Sequence, residues 1–470
     1  MGSALGRAPP RESTVVVSDF TKASTQTTPG RAAVLTLGCK VNTFESAVMA
    51  QRLAEDHWTV VDHRDAADLY VINSCTVTAE ADRQTRQATR RVLRKNPSAQ
   101  VIVTGCYAQN EPMECATIPG VSLVLGNDHK LAVAKAAREL PRDSRPNQVP
   151  VRVDRLSSLP LALLNGYDSR TRAFVQIQQG CDQSCTFCVI HRARGQSRSF
   201  NRKSVLRQIH TFVDQGYREI VLCGVDLGSY SDLSDDRQPE INSLTHLMQE
   251  IAILPGDFRV RLSSIDPVHI DDLLLSILAE SDRFCPYLHI SLQSGSTLIL
   301  KRMKRRYDAV FLMERLEAAR ERIESLVLGA DVMAGFPTET ESDFNCTLEV
   351  LKKANIVYPH VFAYSARPGT PAARIPRQVP RDERRRRASE LRQVGQHLRA
   401  EALVSMISNT GYLLIERAPG LSGSVIYHGR LENYMPVRLT SPIPPVGALL
   451  EVMVTGVDGD VLIAEPLSPD

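Results

Sequence analysis

Three cysteines within one short loop carry the first chemical signal. Residues 180–188 read G-C-D-Q-S-C-T-F-C and set Cys181, Cys185 and Cys188 in C-x3-C-x2-C spacing. So tight a loop can turn three sulfurs towards one centre, and thiolates are soft ligands suited to iron–sulfur clusters or to zinc. The count of three is informative. A structural zinc site is closed by four ligands, and no fourth Cys or His follows at finger-like spacing. His191 comes next, but inside an Arg-rich run. A four-iron cubane on three cysteines keeps one iron open to another ligand. Unrelated packing thiols are the plain alternative.

A second trio is spread through residues 33–140. Short apolar runs at 33–37, 69–73, 101–104 and 121–125 suit buried parallel strands, with helical patterns at 43–55 and 79–95 between them. That predicts a small α/β domain with a parallel sheet. Cys39, Cys75 and Cys106 each fall just after one of the first three runs. Ligands of open α/β sheets bind outside the carboxyl ends of strands, so these thiols are expected to meet at one edge. Taken singly, each would be read as a small core residue.

The elements that position the first loop follow. Candidate strands at 173–177, 219–222, 259–263, 287–292, 326–333 and 357–364 alternate with helical patterns such as 204–215 and 342–354. Six β/α units predict a partial barrel, with the Cys181 loop at the carboxyl-end face where barrel chemistry sits. Asp226, Ser229, Ser263, Ser264, His289, Ser291 and Gln293 lie on or beyond these strands and can face the same cavity. Gly224 would let a ligand approach the backbone. Each polar residue alone is better explained by a satisfied turn or core group.

The remaining segments set the organisation. The chain has 470 residues, enough for several domains. Residues 1–30 are rich in Ser, Thr, Arg and Pro and are expected to be a disordered tail, not an export signal. Residues 141–166 read as a linker, 167–400 as the barrel core, and 401–470 as a small β-barrel with stretches at 412–415, 424–427 and 450–454. That last module carries three arginines against eight acidic residues, so any RNA surface on it must be local. The run 301–306 packs five cations into six residues, and a second begins at Arg381 with Arg384 to Arg387, Arg392 and Arg399. Such runs are solvated faces or, around a cavity, phosphate-binding surfaces. No apolar run is long enough to span a bilayer, and ten cysteines without an export signal fit a reducing, cytoplasmic setting. Cys115, Cys223, Cys285 and Cys346 are left as packing residues.

The loop with Phe187 before its last cysteine resembles the radical S-adenosylmethionine superfamily. T-L-G-C-K-V-N at 36–42, N-S-C-T-V-T at 73–78 and V-T-G-C-Y-A-Q at 103–109 resemble the amino-terminal signatures of methylthiotransferases. R-G-Q-S-R-S at 194–199, R-L-S-S-I-D-P at 261–267, H-I-S-L-Q-S-G at 289–295, G-F-P-T-E-T at 335–340 and V-F-A-Y-S-A-R-P-G-T-P at 361–371 are similar to the family core. The last module resembles a TRAM domain. The resemblance covers about residues 31–468.

The form L-G-C-K-V-N resembles the branch acting on N6-threonylcarbamoyladenosine (t6A) beside the tRNA anticodon, at position 37. Lys40 and Val41 fit neither the isopentenyladenosine branch nor the ribosomal-protein branch. His191, Cys223 and Phe200 depart from common family residues. The resemblance implies a [4Fe–4S] cluster on Cys181, Cys185 and Cys188 that cleaves S-adenosylmethionine (SAM), releasing a 5′-deoxyadenosyl radical that takes hydrogen from C2 of the adenine. It implies an auxiliary [4Fe–4S] cluster on Cys39, Cys75 and Cys106 that carries the sulfur methylated by a first SAM. SAM thus serves as methyl donor and as radical source, with Gly224, Ser263, Gln293 and the backbone at Phe187 as contacts. It also implies a tRNA anticodon arm as partner, an electron donor such as a flavodoxin or ferredoxin, and a monomer. The alternatives are the same chemistry on isopentenyladenosine or on a ribosomal-protein aspartate, or a non-catalytic iron–sulfur RNA-binding protein.

Overall fold

The computed structural model describes residues 30–140, 148–154, 156, 162–167, 170–232, 243–417, 426–440 and 445–467. The expected tail up to residue 29, parts of the expected linker (141–147, 155 and 157–161) and residues 424–425 of one expected strand lie outside them.

The first domain is a parallel sheet of β1 (Arg31–Thr36), β2 (Thr59–Val60), β3 (Leu69–Ser74), β4 (Gln100–Gly105), β5 (Leu123–Leu125) and β6 (Val151–Arg152), ordered β2-β1-β3-β4-β5-β6. Central β3 is buried at every residue, so its sequence is a continuous apolar run rather than an alternation. Successive side chains go to opposite faces. Tyr70, Ile72, Val101 and Val103 join one core, and Leu69, Val71 and Ile102 join the other. Helix Ala79–Lys95 starts where the Thr78 side chain accepts from the Ala81 N–H; Glu80 and Asp82 occupy its first turn, and Arg94 and Lys95 its last. Those charges complement the helix dipole. Strands β2 and β6 were not expected. Each is two residues long, too short to leave a period, and β6 arises from the segment read as a linker.

The second domain holds β7 (Arg172–Gln176), β8 (Gln178–Gln179), β9 (Arg198–Ser199), β10 (Glu219–Cys223), β11 (Arg259–Leu262), β12 (Ser264–Ile265), β13 (Tyr287–Gln293), β14 (Val327–Ala334) and β15 (Ile356–Ala363). Strands β8 and β9 form an antiparallel ribbon bracketing the Cys181 loop. The others form two parallel sheets, β11-β10-β7 and β12-β13-β14-β15, which is the partial barrel. The expected strand at 259–263 is broken at Ser263, where the chain passes from the first sheet to the second. Helix Arg381–Ser405 closes over β15. Gly395 permits this, because a Cβ there would stand 2.1 Å from Pro359 Cγ.

The third domain is a closed barrel, β16-β17-β18-β20-β19, from β16 (Thr410–Arg417), β17 (Ile426–Arg430), β18 (Pro436–Thr440), β19 (Leu449–Asp458) and β20 (Val461–Pro466). It docks under the amino ends of the second domain's strands through one buried carboxylate. Fully buried Glu219 accepts from Arg259 Nε at 2.7 Å and Arg261 Nε at 2.8 Å. Arg259 also donates to the Tyr412 and Arg430 carbonyls, at 2.6 and 3.0 Å, and Arg261 to the Glu432 carbonyl at 2.8 Å. The Tyr434 ring lies between Arg261 and Arg430, at 5.0 and 4.2 Å. Replacing Glu219 by Ala leaves buried Arg261 without its counter-charge and Arg259 with only Glu432, 3.8 Å away. Such a break costs about 3–5 kcal/mol. Urea unfolding of Glu219→Ala should show a loss of that order; a change below about 1 kcal/mol would refute the role of this hub.

Candidate functional site

Cys39, Cys75 and Cys106 come together because their strands are neighbours. Cys39 caps the helix Lys40–Glu55 after β1, Cys75 follows β3, and Cys106 opens the short helix Cys106–Asn110 after β4. Two glycines allow the close approach. A Cβ on Gly38, at φ +105°, would meet Cys75 Cβ at 2.8 Å, and one on Gly105, at φ +91°, would meet the Ser74 backbone at 2.5 Å. The Asn42 amide pins these turns, donating to the Leu37 carbonyl at 2.7 Å and the Ser74 carbonyl at 3.0 Å. Cys106 is buried, while Cys39 keeps open surface. Burial pushes the Cys75 thiol up to about 12, helped by Cys106 and Cys39 alongside. Neutral thiols so crowded suit a positive metal group that takes them as thiolates.

Cys181, Cys185 and Cys188 line their loop with sulfur-directed donors. The Gln183 N–H points at Cys181 Sγ and the Ile190 N–H at Cys188 Sγ, both at 3.4 Å. Arg305 Nη1 reaches Cys185 Sγ at 3.4 Å and is paired with buried Asp266. The loop is held by Thr186, whose hydroxyl donates to the Arg302 carbonyl at 2.8 Å and whose N–H donates to the Met303 carbonyl at 3.0 Å. Burial pushes the Cys181 thiol up to about 12 and the Cys188 thiol to about 11. Each trio offers three thiols, one ligand short of a closed four-ligand zinc site. Donor type, N–H groups aimed at sulfur and a three-ligand count fit an iron–sulfur group.

The two trios face each other across one buried guanidinium. Arg194, at 1% exposure, stands in the helix Ile190–Arg194 that follows the Cys181 loop. Its Nε donates to Cys106 Sγ at 3.2 Å, and its Nη1 and Nη2 grip the two Glu45 oxygens at 2.7 and 3.0 Å. Lys130 Nζ reaches the same carboxylate at 2.5 Å and Asn127 Oδ1 at 2.8 Å. Burial alone would raise the Glu45 pKa, yet Arg194 and Lys130 together hold it at about 2. Two basic groups, Arg194 and Lys130, share one carboxylate, and burial lowers the Lys130 amine pKa. A second clasp joins Arg367, beyond β15, to Asp82 at 2.7 Å and to the Thr76 hydroxyl at 2.8 Å, next to Cys75.

The expected SAM contacts divide. Among the described residues Ser263 Oγ and Gln293 Oε1 are buried without a hydrogen-bond partner, and Gln293 adopts φ +63°. Orphaned atoms at the carboxyl ends of barrel strands suit a polar ligand. Gly224 has a structural reason as well: a Cβ there would stand 3.0 Å from Gln178 Oε1, which accepts from the Val225 and Asp226 N–H groups. The Phe187 ring packs with Ile299, Met303 and Phe336, leaving its backbone as the candidate. Asp226 lies 3.9 Å from Cys181 Sγ and accepts from Ser229. Ser264 and Ser291 are 3.0 Å apart, and His289 stands 3.3 Å from Asp331, which also holds His360 at 2.9 Å.

Arg194, Glu45, Lys130, Asp331 and His360 were not among the expected site residues. Alternation along β13 to β15 could have found Asp331 and His360; the Arg194 network joins distant segments and leaves no period. The basic runs are mostly structural. Arg302 bonds Thr338, Arg305 serves Cys185 and Asp266, and Arg306 bonds His269, leaving Lys301 and Lys304 exposed. In the second run Arg386 and Arg387 pair with Glu341 and Glu383, Arg384 bonds the Tyr364 carbonyl, and Arg399 bonds the Asp460 carbonyl.

Comparison with known proteins gives two family matches, Uncharacterized protein family UPF0004 over residues 31–126 and the Radical SAM superfamily over 175–351. The threonylcarbamoyladenosine tRNA methylthiotransferase MtaB of Bacillus subtilis is 35% identical over 427 residues, covering 89% of this chain and 92% of that protein. The protein of the same name from Rickettsia prowazekii is 36% identical, covering 91% and 96%. A tRNA-2-methylthio-N(6)-dimethylallyladenosine synthase from Corynebacterium efficiens is 30% identical, covering 92% and 84%. Among solved structures, the radical S-adenosylmethionine methyltransferase TsrM from Kitasatospora setae, with cobalamin and a [4Fe-4S] cluster bound, superposes with a TM-score of 0.51 at 15% identity, covering 73% of this chain and 77% of that one. That likeness concerns the fold alone.

The Glu45 carboxyl titrates about 4.5 in the unfolded chain and about 2 in place. A lowered folded pKa stabilises above the unfolded value and is lost as pH falls through the folded one. The shift is worth on the order of 3 kcal/mol. Unfolding midpoints measured from pH 6 to pH 2 should fall steeply below about 4.5, and Glu45→Gln should flatten that stretch. Parallel profiles for the two proteins would refute the assignment.

Proposed function

This chain belongs to the radical SAM methylthiotransferase family of the threonylcarbamoyladenosine tRNA methylthiotransferases, and from that membership we propose that it transfers a methylthio group to C2 of t6A at tRNA position 37. The single observation that carries the residue-level reading is the meeting of two three-cysteine sets at the carboxyl ends of two parallel sheets, joined by Arg194. Cys181, Cys185 and Cys188 would hold a [4Fe–4S] cluster, and Cys39, Cys75 and Cys106 a second. When bound, such groups with SAM supply one-electron bond cleavage and a transferable sulfur, chemistry that no side chain offers.

The protein's own part is positioning. The adenine C2–H is not acidic enough to ionise, so no general base is required of the chain. The Gln183 and Ile190 N–H groups and Arg305 orient and charge-compensate the first set of sulfurs. Ser263 Oγ, Gln293 Oε1 and the backbone at Gly224 and Phe187 are assigned to SAM, whose polar groups would satisfy the two orphaned atoms. Fixing these groups before reaction keeps reactive species from water and side reactions. RNA modification of this kind needs an unstacked base. The third domain and the exposed Lys301 and Lys304 are assigned to the anticodon arm. A flavodoxin or ferredoxin is assigned as electron donor, acting on a cytoplasmic monomer. Among the described residues no helix is long and apolar enough to cross a membrane.

Reaction of the anaerobically reconstituted protein with threonylcarbamoylated tRNA, followed by nucleoside mass analysis, tests the reading. Gain of a methylthio mass on t6A is expected; transfer to isopentenyladenosine with t6A untouched would overturn it. Cys185→Ala should abolish 5′-deoxyadenosine formation. Cys75→Ala should retain part of that cleavage while methylthio transfer stops, and each variant should lose about half the iron. Identical behaviour with full iron in both variants would overturn the division of labour. Serine at Cys115, Cys223, Cys285 or Cys346 should leave iron content unchanged.

A further inference from the structure

We propose that Arg194 tunes the reduction potential of the group held by Cys39, Cys75 and Cys106, through an N–H···S hydrogen bond delivered from the SAM-cleaving loop of the other domain. The inference rests on the reading that this trio holds a cluster. Three observations carry it. The Nε–H points at Cys106 Sγ at 3.2 Å, and among the described residues no other side chain donates to that sulfur. The other guanidinium nitrogens are fixed on Glu45 Oε1 and Oε2 and on Asn42 Oδ1, so the remaining donor has one direction left. Asn42 and Glu45 lie on the helix that Cys39 caps, and Arg194 lies six residues beyond Cys188. One planar cation, carried on the segment that follows the Cys181 loop, is therefore held against the Cys39, Cys75 and Cys106 trio.

The physics has a sign. Hydrogen bonds to ligand sulfurs and nearby positive charge stabilise the more negative, reduced state and raise the potential. Arg194, gripped by Glu45, places a guanidinium directly beside the trio. A lysine in place of Arg194 would keep the charge but lose the fork that holds Glu45 while presenting Nε–H to sulfur.

The test uses the full chain with Cys181, Cys185 and Cys188 all replaced by Ala, which leaves the other trio alone. Iron and sulfide are assayed first, then the midpoint potential by redox titration followed by electron paramagnetic resonance. A parent without iron refutes the cluster reading itself. With iron present, Glu45→Gln should shift the midpoint to more positive values, since the guanidinium loses its counter-charge. The double variant Arg194→Met with Glu45→Gln changes no net charge and removes the hydrogen bond; its midpoint should be more negative than the parent's. An unchanged midpoint in an iron-loaded double variant overturns the inference. If that variant cannot hold iron, Arg194→Lys decides: a smaller negative shift supports the role, and an unchanged midpoint overturns it.

Discussion

The arrangement of the first two domains depends on a buried guanidinium that no single domain can satisfy. Arg194 comes from the barrel, but the groups that accept its protons, Glu45, Asn42 and the Cys106 sulfur, belong to the sheet domain. Withdrawing a charge from water costs several kcal/mol unless partners with good geometry replace the solvent. An arginine at 1% exposure is therefore stable only when the domains are docked in this one pose. Hydrophobic contact alone would permit sliding. Directional, charge-assisted bonds to three oxygens and a sulfur do not. Distance between the two thiol sets is fixed by the same contact that holds the domains together.

The opposite end of the barrel obeys the same rule with the charges reversed. There a buried carboxylate, Glu219, is the group that cannot be left alone, and Arg259 and Arg261 pass from it to backbone carbonyls of the third domain. The barrel is clamped at its carboxyl ends to the sulfur-bearing sheet and at its amino ends to the small closed barrel. Both clamps use Arg because its fork can satisfy a carboxylate and still reach a further acceptor. The third domain is thus referred, through the barrel strands, to the opposite face that carries the Cys181 loop.

How much of this was legible in the sequence follows from the physics of each feature. Buried parallel strands announce themselves as apolar runs, and a thiol just past such a run must lie at a strand end; Cys39, Cys75 and Cys106 could be placed in that way. The tight Cys181 loop constrains itself by length alone. The break at Ser263 was hidden, since Val260, Leu262 and Ile265 supply strand-like residues on both sides of it and only the passage between sheets interrupts pairing. Strands of two residues leave no pattern, which concealed β6 inside the expected linker. Charge runs misled for a different reason. Sequence records that Arg305 and Arg387 are cations but not that Asp266 and Glu339 wait for them inside the fold.

Those hidden pairings bear on how such a site tolerates its own thiols. Three sulfurs brought together by backbone turns repel as thiolates, and burial pushes Cys75, Cys181 and Cys188 towards the neutral form. A metal group can claim them only if the surroundings favour negative sulfur. Each set has one arginine that does so, Arg194 at Cys106 and Arg305 at Cys185, and each arginine is steadied by a buried acid, Glu45 or Asp266. Glu45 faces Arg194 and Lys130, and Arg305 and Arg306 both approach Asp266. Each arginine comes from a segment that pairing with a buried acid brings beside the cysteine sulfur, a proximity that sequence spacing does not record.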